Sequence, residues 1–232
     1  MKVRIIALVF TLALASISAG CRIGKDSELK LSGTLEMTEH TVGARVPGRI
    51  VTLNFDEGQD VAKDQVLATL DRFEQAKKDN ERLKRQLSQG GVSEQAAEQG
   101  DLSVDDQRIV SPVDGVVLTK VRETGEIVSA GGAVAVIGDR NRVWVRVYVP
   151  EGKIAHVRLG AVASLKFDGV TAEVPGRVIY IAPKAEFTPR NVQSQEERIT
   201  QTFAVKVALD KPAPWLKPGI AADVMLSLEA RP

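Results

Sequence analysis

The sequence of 232 residues is poor in the residue types that build several kinds of functional site. It contains one cysteine, Cys21, and two histidines, His40 and His156. One cysteine cannot form an internal disulfide, and so few Cys and His residues exclude a zinc-finger type of metal cluster. Six Phe, two Trp and two Tyr leave little material for the stacking of nucleic-acid bases.

An excess of charge of one sign is also absent. The 31 Lys and Arg side chains are balanced by 30 Asp and Glu side chains, which gives a formal net charge of +1. Proteins that wrap nucleic acid need a strong positive field, so the composition argues against nucleic acid as a partner. With 44% hydrophobic residues the chain has enough apolar material for the core of a globular protein.

The motifs of common enzyme families are missing as well. The sequence has no Gly-rich phosphate loop and no nucleophile elbow, and neither histidine has an acidic residue at a metalloprotease spacing. The acidic residues are scattered, and Asp114 and Glu126 fall in predicted turns. Met37 and Met225 are too few for a soft-metal site. We therefore expect a non-enzymatic protein with no metal and no cofactor.

The N-terminus has the pattern of a secretory signal peptide over residues 1–20. Lys2 and Arg4 precede an apolar run over residues 5–17, and three small residues then lead to Cys21. The apolar run is shorter than the roughly 20 residues of a membrane-spanning helix, which favours a cleaved signal over a permanent anchor.

The end of this segment resembles the bacterial lipobox, whose cysteine becomes the acylated first residue of the mature protein. The resemblance implies that Cys21 is a lipid attachment site, and acyl chains there would hold the mature protein at a membrane. Conventional cleavage that leaves Cys21 as a free thiol is the alternative.

Residues 41–71 and 108–138 form an internal repeat at a constant offset, with no gap. The matching pairs are Val46 and Val113, Gly48 and Gly115, Ile50 and Val117, Gly58 and Gly125, Val61 and Val128, Leu67 and Val134, and Leu70 and Ile137. Each copy is predicted to form short strands around glycine turns. Neither copy has enough apolar surface to fold alone, so we expect the two to close into one small flattened barrel with a shared core.

The repeat resembles the biotinyl/lipoyl fold through residues 44–50 and 57–61 and their echo at residues 111–117. In carrier proteins of that fold, a lysine flanked by Met presents the cofactor at a hairpin tip. This chain has no such turn and carries an insertion, residues 72–107, at that place, which argues against the alternative of a cofactor carrier. A lipoyl fold split by a helical insertion resembles the periplasmic adaptor, or membrane fusion protein, family typified by HlyD.

Residues 72–107 are predicted to form a short α-helical hairpin. A seam at spacings of three and four residues consists of Phe73, Ala76, Asn80, Leu83 and Leu87. Glycines at positions 90 and 91 supply the reversal, and Ser93 fits the N-cap of the second helix. Residues 72–88 carry six basic and three acidic side chains, whereas residues 92–108 carry one basic and five acidic. Opposite charge favours antiparallel pairing of the two helices.

In the adaptor family, an Arg, a Leu and a Ser at the hairpin tip contact the outer-membrane channel. The resemblance implies this role for Arg82, Leu87 and Ser93. An arm of 17 residues spans about 25 Å at 1.5 Å per residue, which is shorter than most hairpins of the family. A second protein that bridges the remaining gap, or a hairpin that mainly orients neighbouring subunits, are the alternatives.

The C-terminal part, residues 139–232, is predicted to form a second β-barrel. Valines at positions 143, 145, 147 and 149 alternate with Trp144, Arg146 and Tyr148, which indicates a strand with one buried face. A short helical turn from Pro150 to Val157 follows. Further strands are predicted at residues 161–167, 172–182, 200–209 and 220–228.

Several short segments of this part resemble the β-barrel signatures of the adaptor family. These segments are residues 149–151, 176–178 and 216–220. Residues 185–193 resemble a stretch that is typical of the YbhG-type adaptors of ABC exporters.

The sequence thus predicts a mainly β fold with a short α-helical hairpin, in which a split biotinyl/lipoyl-like barrel-sandwich is followed by a second β-barrel. The predicted divisions are a signal peptide (1–20), a tether with the first strand (21–40), the two lipoyl-like halves (41–71 and 108–138), the hairpin (72–107) and the barrel domain (139–232).

The family resemblance implies a periplasmic adaptor, and the lipobox resemblance at Cys21 implies that a lipid anchors it to the inner membrane. Such a protein assembles as a homo-oligomer, a hexameric ring, and links an inner-membrane exporter, here of ABC type, to an outer-membrane channel. Two alternatives remain open at this point. One is an adaptor for an exporter of the RND type, and the other is a stand-alone envelope lipoprotein that binds a ligand through its barrel.

Overall fold

The computed structural model describes residues 28–187 and 201–228. Within these ranges the strands are β1 (Glu28–Gly43), β2 (Gly48–Leu53), β3 (Asp60–Val61), β4 (Val66–Leu70), β5 (Arg108–Val110), β6 (Gly115–Lys120), β7 (Ile127–Val128), β8 (Ala133–Pro150), β9 (Val162–Phe167), β10 (Val174–Ile181), β11 (Glu186–Phe187), β12 (Gln201–Leu209) and β13 (Ala221–Ser227). The helices are α1 (Phe73–Ser88), α2 (Glu94–Asp105) and α3 (Glu151–Ile154).

The two sequence repeats form equivalent strands that pair with each other. β2, β3 and β4 of the first repeat correspond to β6, β7 and the start of β8, each at the offset that relates the two repeats. Val61 lies opposite Gly115 between β3 and β6, and Gly48 lies opposite Val128 between β2 and β7. The two halves therefore close on each other through backbone hydrogen bonds, as the repeat predicts.

Glycine turns tie each half to the other half. Gly58 and Gly125 occupy equivalent turns with φ of 80° and 93°, a left-handed conformation that a residue with a Cβ rarely adopts. The N–H of Gly58 donates to the carbonyl of Val117, and the N–H of Gly125 donates to the carbonyl of Ile50, each at 2.8 Å. The matching glycines of the repeat are thus needed at the same point of both halves.

One apolar core fills this sandwich, as expected from the repeat. Ile50 and Leu67 of the first half and Val134 and Ile137 of the second are all fully buried. The buried members of the cluster are Val42, Ala44, Ile50, Phe55, Val61, Leu67, Ala68, Leu70, Ile109, Val117, Val128, Val134, Ala135 and Ile137. Burying one Leu or Ile side chain contributes about 1.5–3 kcal/mol, so neither half could keep its stability without the other.

A closed barrel of six strands makes the second domain. The strands follow each other in the order β12, β10, β9, β13, β1 and β8, and pairing of β8 with β12 closes the circle. The alternating valines of β8 point inward, where they pack with fully buried Leu35, Leu165 and Phe167. Together with the sandwich, this barrel confirms the fold class that the sequence predicts. The helical turn after Pro150 is shorter than predicted, because α3 ends at Ile154.

Two long strands belong to both domains. β1 enters the barrel at Glu28 and continues into the sandwich at Gly43, while β8 runs back from Ala133 to Pro150. They pair along this length, with register shifts at Met37 to Glu39 and at the sandwich end. A pair of neighbouring strands therefore joins the sandwich to the barrel.

The hairpin and the barrel are attached to the sandwich at equivalent positions of its internal repeat. β4 leads directly into α1, and α2 leads directly into β5. At the equivalent positions of the other repeat, β8 leaves the sandwich for the barrel and β1 enters it from the barrel. The two extensions of the sandwich are therefore related by its internal repeat.

Gly115→Ala is expected to lower the free energy of unfolding by about 1–3 kcal/mol, the usual cost of overpacking a well-filled core. A Cβ at residue 115 would lie 2.4 Å from the carbonyl oxygen of Gly138 and 2.7 Å from Cγ2 of Ile137, so the backbone of β8 would have to move. Urea denaturation of the full chain measures the change. Gly152→Ala in α3 is the control, because a Cβ there meets nothing within 4 Å. Equal stability of the two variants would contradict the close approach of β6 and β8.

Candidate functional site

The helical hairpin is the first candidate for a contact with another protein, and its turn is capped by its own residues. Ser93 is the N-cap of α2, as predicted, because its side-chain oxygen accepts a hydrogen bond from the N–H of Ala96 at 3.3 Å. At the end of α1, Gly90 has a φ of 73°, and the N–H of Gly91 donates to the carbonyl of Gln86 at 2.8 Å. The turn thus satisfies part of the backbone at both helix ends.

The predicted seam of α1 lies between the two helices. Asn80 is its most buried member, with 8% of its surface exposed, and Leu83 and Leu87 are half-buried. On the facing helix the buried residues are Ala97 and Gly100. The helices meet through small and polar residues as well as through leucines, so this contact buries less apolar surface than a seam of leucines.

A polar network crosses the seam at Asn80. Its side-chain amide donates to Oδ1 of Asp101 at 2.7 Å, and the Nζ of Lys84 lies 2.5 Å from the same oxygen. The hydrogen bond from Lys84, followed by that from Asn80, lowers the pKa of Asp101 below its ordinary value. In the part of the chain that the structure describes, one salt bridge joins α1 to α2, and it is formed by Lys84 and Asp101. Most of the opposite charge on the two helices is therefore left at the surface.

A groove of about 330 Å³ runs along one side of the helix pair, where Gln75, Asp79, Gln99 and Ser103 contribute polar side chains. The helices approach closely beside it because α2 has Gly100 at the crossing. A Cβ at this glycine would lie 2.7 Å from Oδ1 of Asn80. That buried oxygen has no hydrogen-bond donor among the described residues.

The three residues predicted for channel docking are not brought into one contact. Ser93 caps α2, and the half-buried Leu87 lies in the last turn of α1. Arg82 is exposed and pairs with Asp79 on its own helix at 3.0 Å. It lies six residues before the end of α1, or about 9 Å along the helix axis. Leu87 and Ser93 therefore flank the turn, whereas Arg82 presents its guanidinium further down the side of the hairpin.

The junction of sandwich and barrel is held by Arg140 of β8. Its Nε donates to Oδ1 of Asp60 in the sandwich at 3.0 Å, and its Nη1 donates to the carbonyl of Pro214 in a barrel loop at 2.6 Å. Nearby, Asp139 is 4% exposed and lies 3.9 Å from Nε2 of His40. Sequence reasoning did not find this junction, since its partners are far apart along the chain and share no motif.

The structure describes only some of the other predicted features. Cys21 and the predicted signal peptide lie outside the described residues. Among the residues that are described, no group of three or more Cys, His, Asp or Glu side chains is arranged to bind a metal ion. The helices of the described part include none with the length and hydrophobicity needed to cross a bilayer. Asp114 lies in the bend before β6, and its Oδ1 accepts from the N–H of Lys63 in the other half of the sandwich at 2.9 Å.

Comparison with protein families identifies both domains. The barrel-sandwich hybrid domain of RND membrane fusion proteins matches residues 38–139. The CusB-like β-barrel domain matches residues 142–230. The boundary between the matches falls in β8, next to Arg140.

Curated relatives belong to the UPF0194 membrane proteins. One from Acidithiobacillus ferridurans is 38% identical over 124 residues, which cover 53% of this chain and 37% of the relative. YbhG of Salmonella gallinarum is 30% identical over 132 residues, which cover 56% of this chain and 40% of the relative. The chain thus spans about two fifths of the length of the curated relatives that it matches.

Solved structures with the same fold include periplasmic adaptors at low sequence identity. The adaptor EmrA has a TM-score of 0.55 at 14% identity, and the alignment covers 88% of this chain and 99% of EmrA. A MacA–MexA chimera that contains the Pseudomonas aeruginosa MexA hairpin has a TM-score of 0.58 at 19% identity, covering 88% of this chain and 82% of the chimera. Because these two adjoining family models together match most of the chain, residues 38–139 and 142–230, this chain belongs to the periplasmic adaptor, or membrane fusion protein, family.

Proposed function

We propose that this protein is a non-enzymatic periplasmic adaptor that links an inner-membrane exporter of ABC type to an outer-membrane channel in an efflux or secretion system. The observation that carries the proposal is the combination of a split lipoyl-like sandwich, an inserted hairpin and a barrel on two shared strands. The hairpin and the barrel provide two separate surfaces, and a connecting subunit needs one surface for each partner.

The position of the start of β1 supports a membrane anchor at the barrel end of the molecule. β1 starts at Glu28 in the barrel, at the end opposite to the sandwich, because its partner residue there is Ser227 of β13. Glu28 follows Cys21 by seven positions, and an extended chain of that length spans at most about 25 Å. An acylated Cys21 would therefore keep this end of the barrel near the inner membrane and leave the sandwich further out in the periplasm.

Two kinds of exporter are candidates for the partner. Similarity to YbhG and the resemblance of residues 185–193 to adaptors of ABC exporters favour the ABC type. Residues 188–193 of that stretch lie outside the described residues. The RND type is the second candidate, because the matching sandwich domain is the one described for RND membrane fusion proteins.

Affinity purification of the full chain from membranes in a mild detergent tests the proposal and separates the two candidates. We expect a permease and an outer-membrane channel to co-purify, and identification of the permease by mass spectrometry assigns it to the ABC or the RND class. An unrelated protein of the same membrane, tagged in the same way, is the control. Recovery of the chain without any permease would contradict the proposal and favour a stand-alone envelope lipoprotein.

Arg82→Asp is expected to reduce crosslinking of the hairpin to the outer-membrane channel while the fold stays intact. Arg82 is exposed on α1, and its substitution removes an ion pair with Asp79 that is itself at the surface. Circular dichroism checks the fold, and crosslinking in intact cells measures the contact. Lys78→Asp, with the same charge change one turn further from the hairpin end, is the matched control. If both variants crosslink as the wild type does, Arg82 has no part in docking.

Cys21→Ser is expected to abolish acyl labelling and to release the protein into the soluble periplasmic fraction. A serine hydroxyl cannot replace the thiol that receives the lipid. Metabolic labelling with a fatty acid, followed by cell fractionation, measures both effects. Ala19→Ser is the control because it keeps a small residue ahead of Cys21. Unchanged labelling of the Cys21→Ser variant would rule out this residue as the attachment site.

A further inference from the structure

A loop crosses the end of the barrel that faces away from the sandwich. This loop, residues 151–161, joins β8 to β9 and contains α3. Ile154 packs against the barrel core, and Val157, which is 3% exposed, belongs to that core. The loop therefore closes the barrel with those of its apolar side chains that point inward.

Leu159 of the same loop points away from the core. It is 68% exposed. The next residue, Gly160, has a φ of 82°, a left-handed conformation in which the chain turns into β9. Two neighbours continue the apolar surface, since Val162 is 57% exposed and Ile179 is 52% exposed. We call Leu159, Val162 and Ile179 the apolar rim.

Backbone pairing holds the apolar rim together. The N–H of Gly160 donates to the carbonyl of Val178 at 2.8 Å, and Arg177 lies opposite Val162 in the pairing of β10 with β9. Ile179 therefore lies beside the turn at Gly160, on the outer face that Val162 also occupies. A single exposed apolar residue is common on protein surfaces, whereas adjoining ones mark a surface that contacts an apolar partner.

The apolar rim lies level with the start of β1. Leu29 of β1 lies opposite Leu226 of β13, and Leu226 lies opposite Ala163 of β9. The start of β9 is therefore two strands away from the start of β1, or about 10 Å at the usual spacing of strands. Because the chain enters β9 from the end of the barrel, Leu159 lies beyond this level and nearer to the end of the molecule.

The tether before β1 brings the apolar rim within reach of a bilayer. Glu28 follows Cys21 by seven positions, so a lipid on Cys21 holds the start of β1 within about 25 Å of the membrane. A short tether gives a surface a high effective concentration at the place where the tether is anchored. An apolar surface too small to bind lipid alone is thus kept in contact with it, whereas a protein partner has to be supplied separately.

Charged side chains near the apolar rim balance each other among the described residues. Arg177 pairs with Asp210 at 3.7 Å. Three basic and three acidic side chains are exposed at this end of the barrel, namely Lys153, Arg158, Lys184, Glu28, Glu151 and Glu186. This end has no strong field of one sign, so its contact with a bilayer depends on apolar burial and not on the charge of the lipids.

We propose that the apolar rim lies in the headgroup region of the inner-membrane bilayer and that the barrel rests there on lipid. Leu159 enters furthest because it is nearest to the end of the molecule, and Val162 and Ile179 follow on the outer face. The contact fixes the direction of the barrel relative to the membrane, which one flexible tether cannot do. The inference rests on the proposed membrane anchor at Cys21.

A depth measurement on the tethered protein tests this contact without requiring acylation. The chain from residue 22 onward, with an N-terminal histidine tag, is bound to vesicles of phosphatidylethanolamine and phosphatidylglycerol that contain a nickel-chelating lipid. This chain has no cysteine, so an environment-sensitive dye can be attached at Leu159→Cys alone. Quenching of the dye by lipids with brominated acyl chains measures its contact with the bilayer.

The dye at position 159 is expected to be quenched about threefold or more above the dye at Ile127→Cys. Ile127 is the matched control, because it is 71% exposed on the sandwich. Quenching at position 159 is expected to persist when phosphatidylcholine replaces phosphatidylglycerol, since the charges near the rim balance. Equally weak quenching at both positions overturns the inference, and so does quenching that disappears without the anionic lipid.

A second variant tests the apolar rim beyond the dye itself. Ile179→Asp, with the dye at position 159, is expected to lower the quenching by about threefold or more, because a carboxylate is costly to place in lipid. Val51→Asp is the matched control, since Val51 is 51% exposed on the sandwich. Circular dichroism checks the fold of both variants. Quenching that Ile179→Asp leaves unchanged overturns the inference.

A membrane protein is the other possible partner of the apolar rim. A dye at position 159 that pure lipid vesicles leave unquenched, but that native inner-membrane vesicles shield from aqueous iodide, overturns the inference and assigns the surface to a protein. Failure of the adaptor function has a different sign, which is recovery of the chain from membranes without a permease. That result leaves a rim that lipids quench standing, and an unquenched rim leaves the adaptor function standing.

Discussion

The pairing of β1 with β8 is the interaction on which the rest of the molecule depends. These strands close the barrel at one end and complete the sandwich at the other, with the register running from Gly33 opposite Val147 to Gly43 opposite Ala133. A flexible linker between two domains would let them rotate freely, whereas a continuous strand pair limits their relative motion. Arg140 adds a contact across the same junction, to Asp60 and to the Pro214 carbonyl. The fold therefore suits the proposed role, in which the sandwich and the barrel keep a defined relative position.

The two extensions of the sandwich are built with different strength. The barrel buries a large aliphatic cluster inside six closed strands, whereas the hairpin joins two helices through a half-buried seam with an amide and a glycine at its centre. Short helices gain most of their stability from packing, so the hairpin depends on its attachment to β4 and β5 and on any neighbour that covers its sides. This difference fits a rigid base and an adaptable arm.

The sequence predicted the features that depend on local patterns, and it did not predict those that depend on contacts between distant parts of the chain. The constant offset between the two repeats predicted the strands of both halves and their glycine turns, because repeated local patterns fold in the same way. The spacing of Phe73 to Leu87 indicated the inner face of α1, and alternation indicated the outward direction of Trp144, Arg146 and Tyr148. Strand order is set by contacts between residues that are far apart along the chain. The sequence therefore predicted neither that β1 and β8 belong to both domains nor that Tyr180 and Lys206 lie beside Trp144. Single residues such as Arg140 that join distant loops leave no local pattern.

Electron cryomicroscopy of the complex isolated from membranes tests the central claim, that this chain bridges two membrane components, most directly. The account predicts several copies around one axis, with the barrel ends of β1 next to a permease and the hairpins directed away from the inner membrane. It also predicts that sandwich and barrel keep the relative position given by the shared strands. A particle in which the chain binds no permease, or in which the hairpins point toward the inner membrane, would contradict the account.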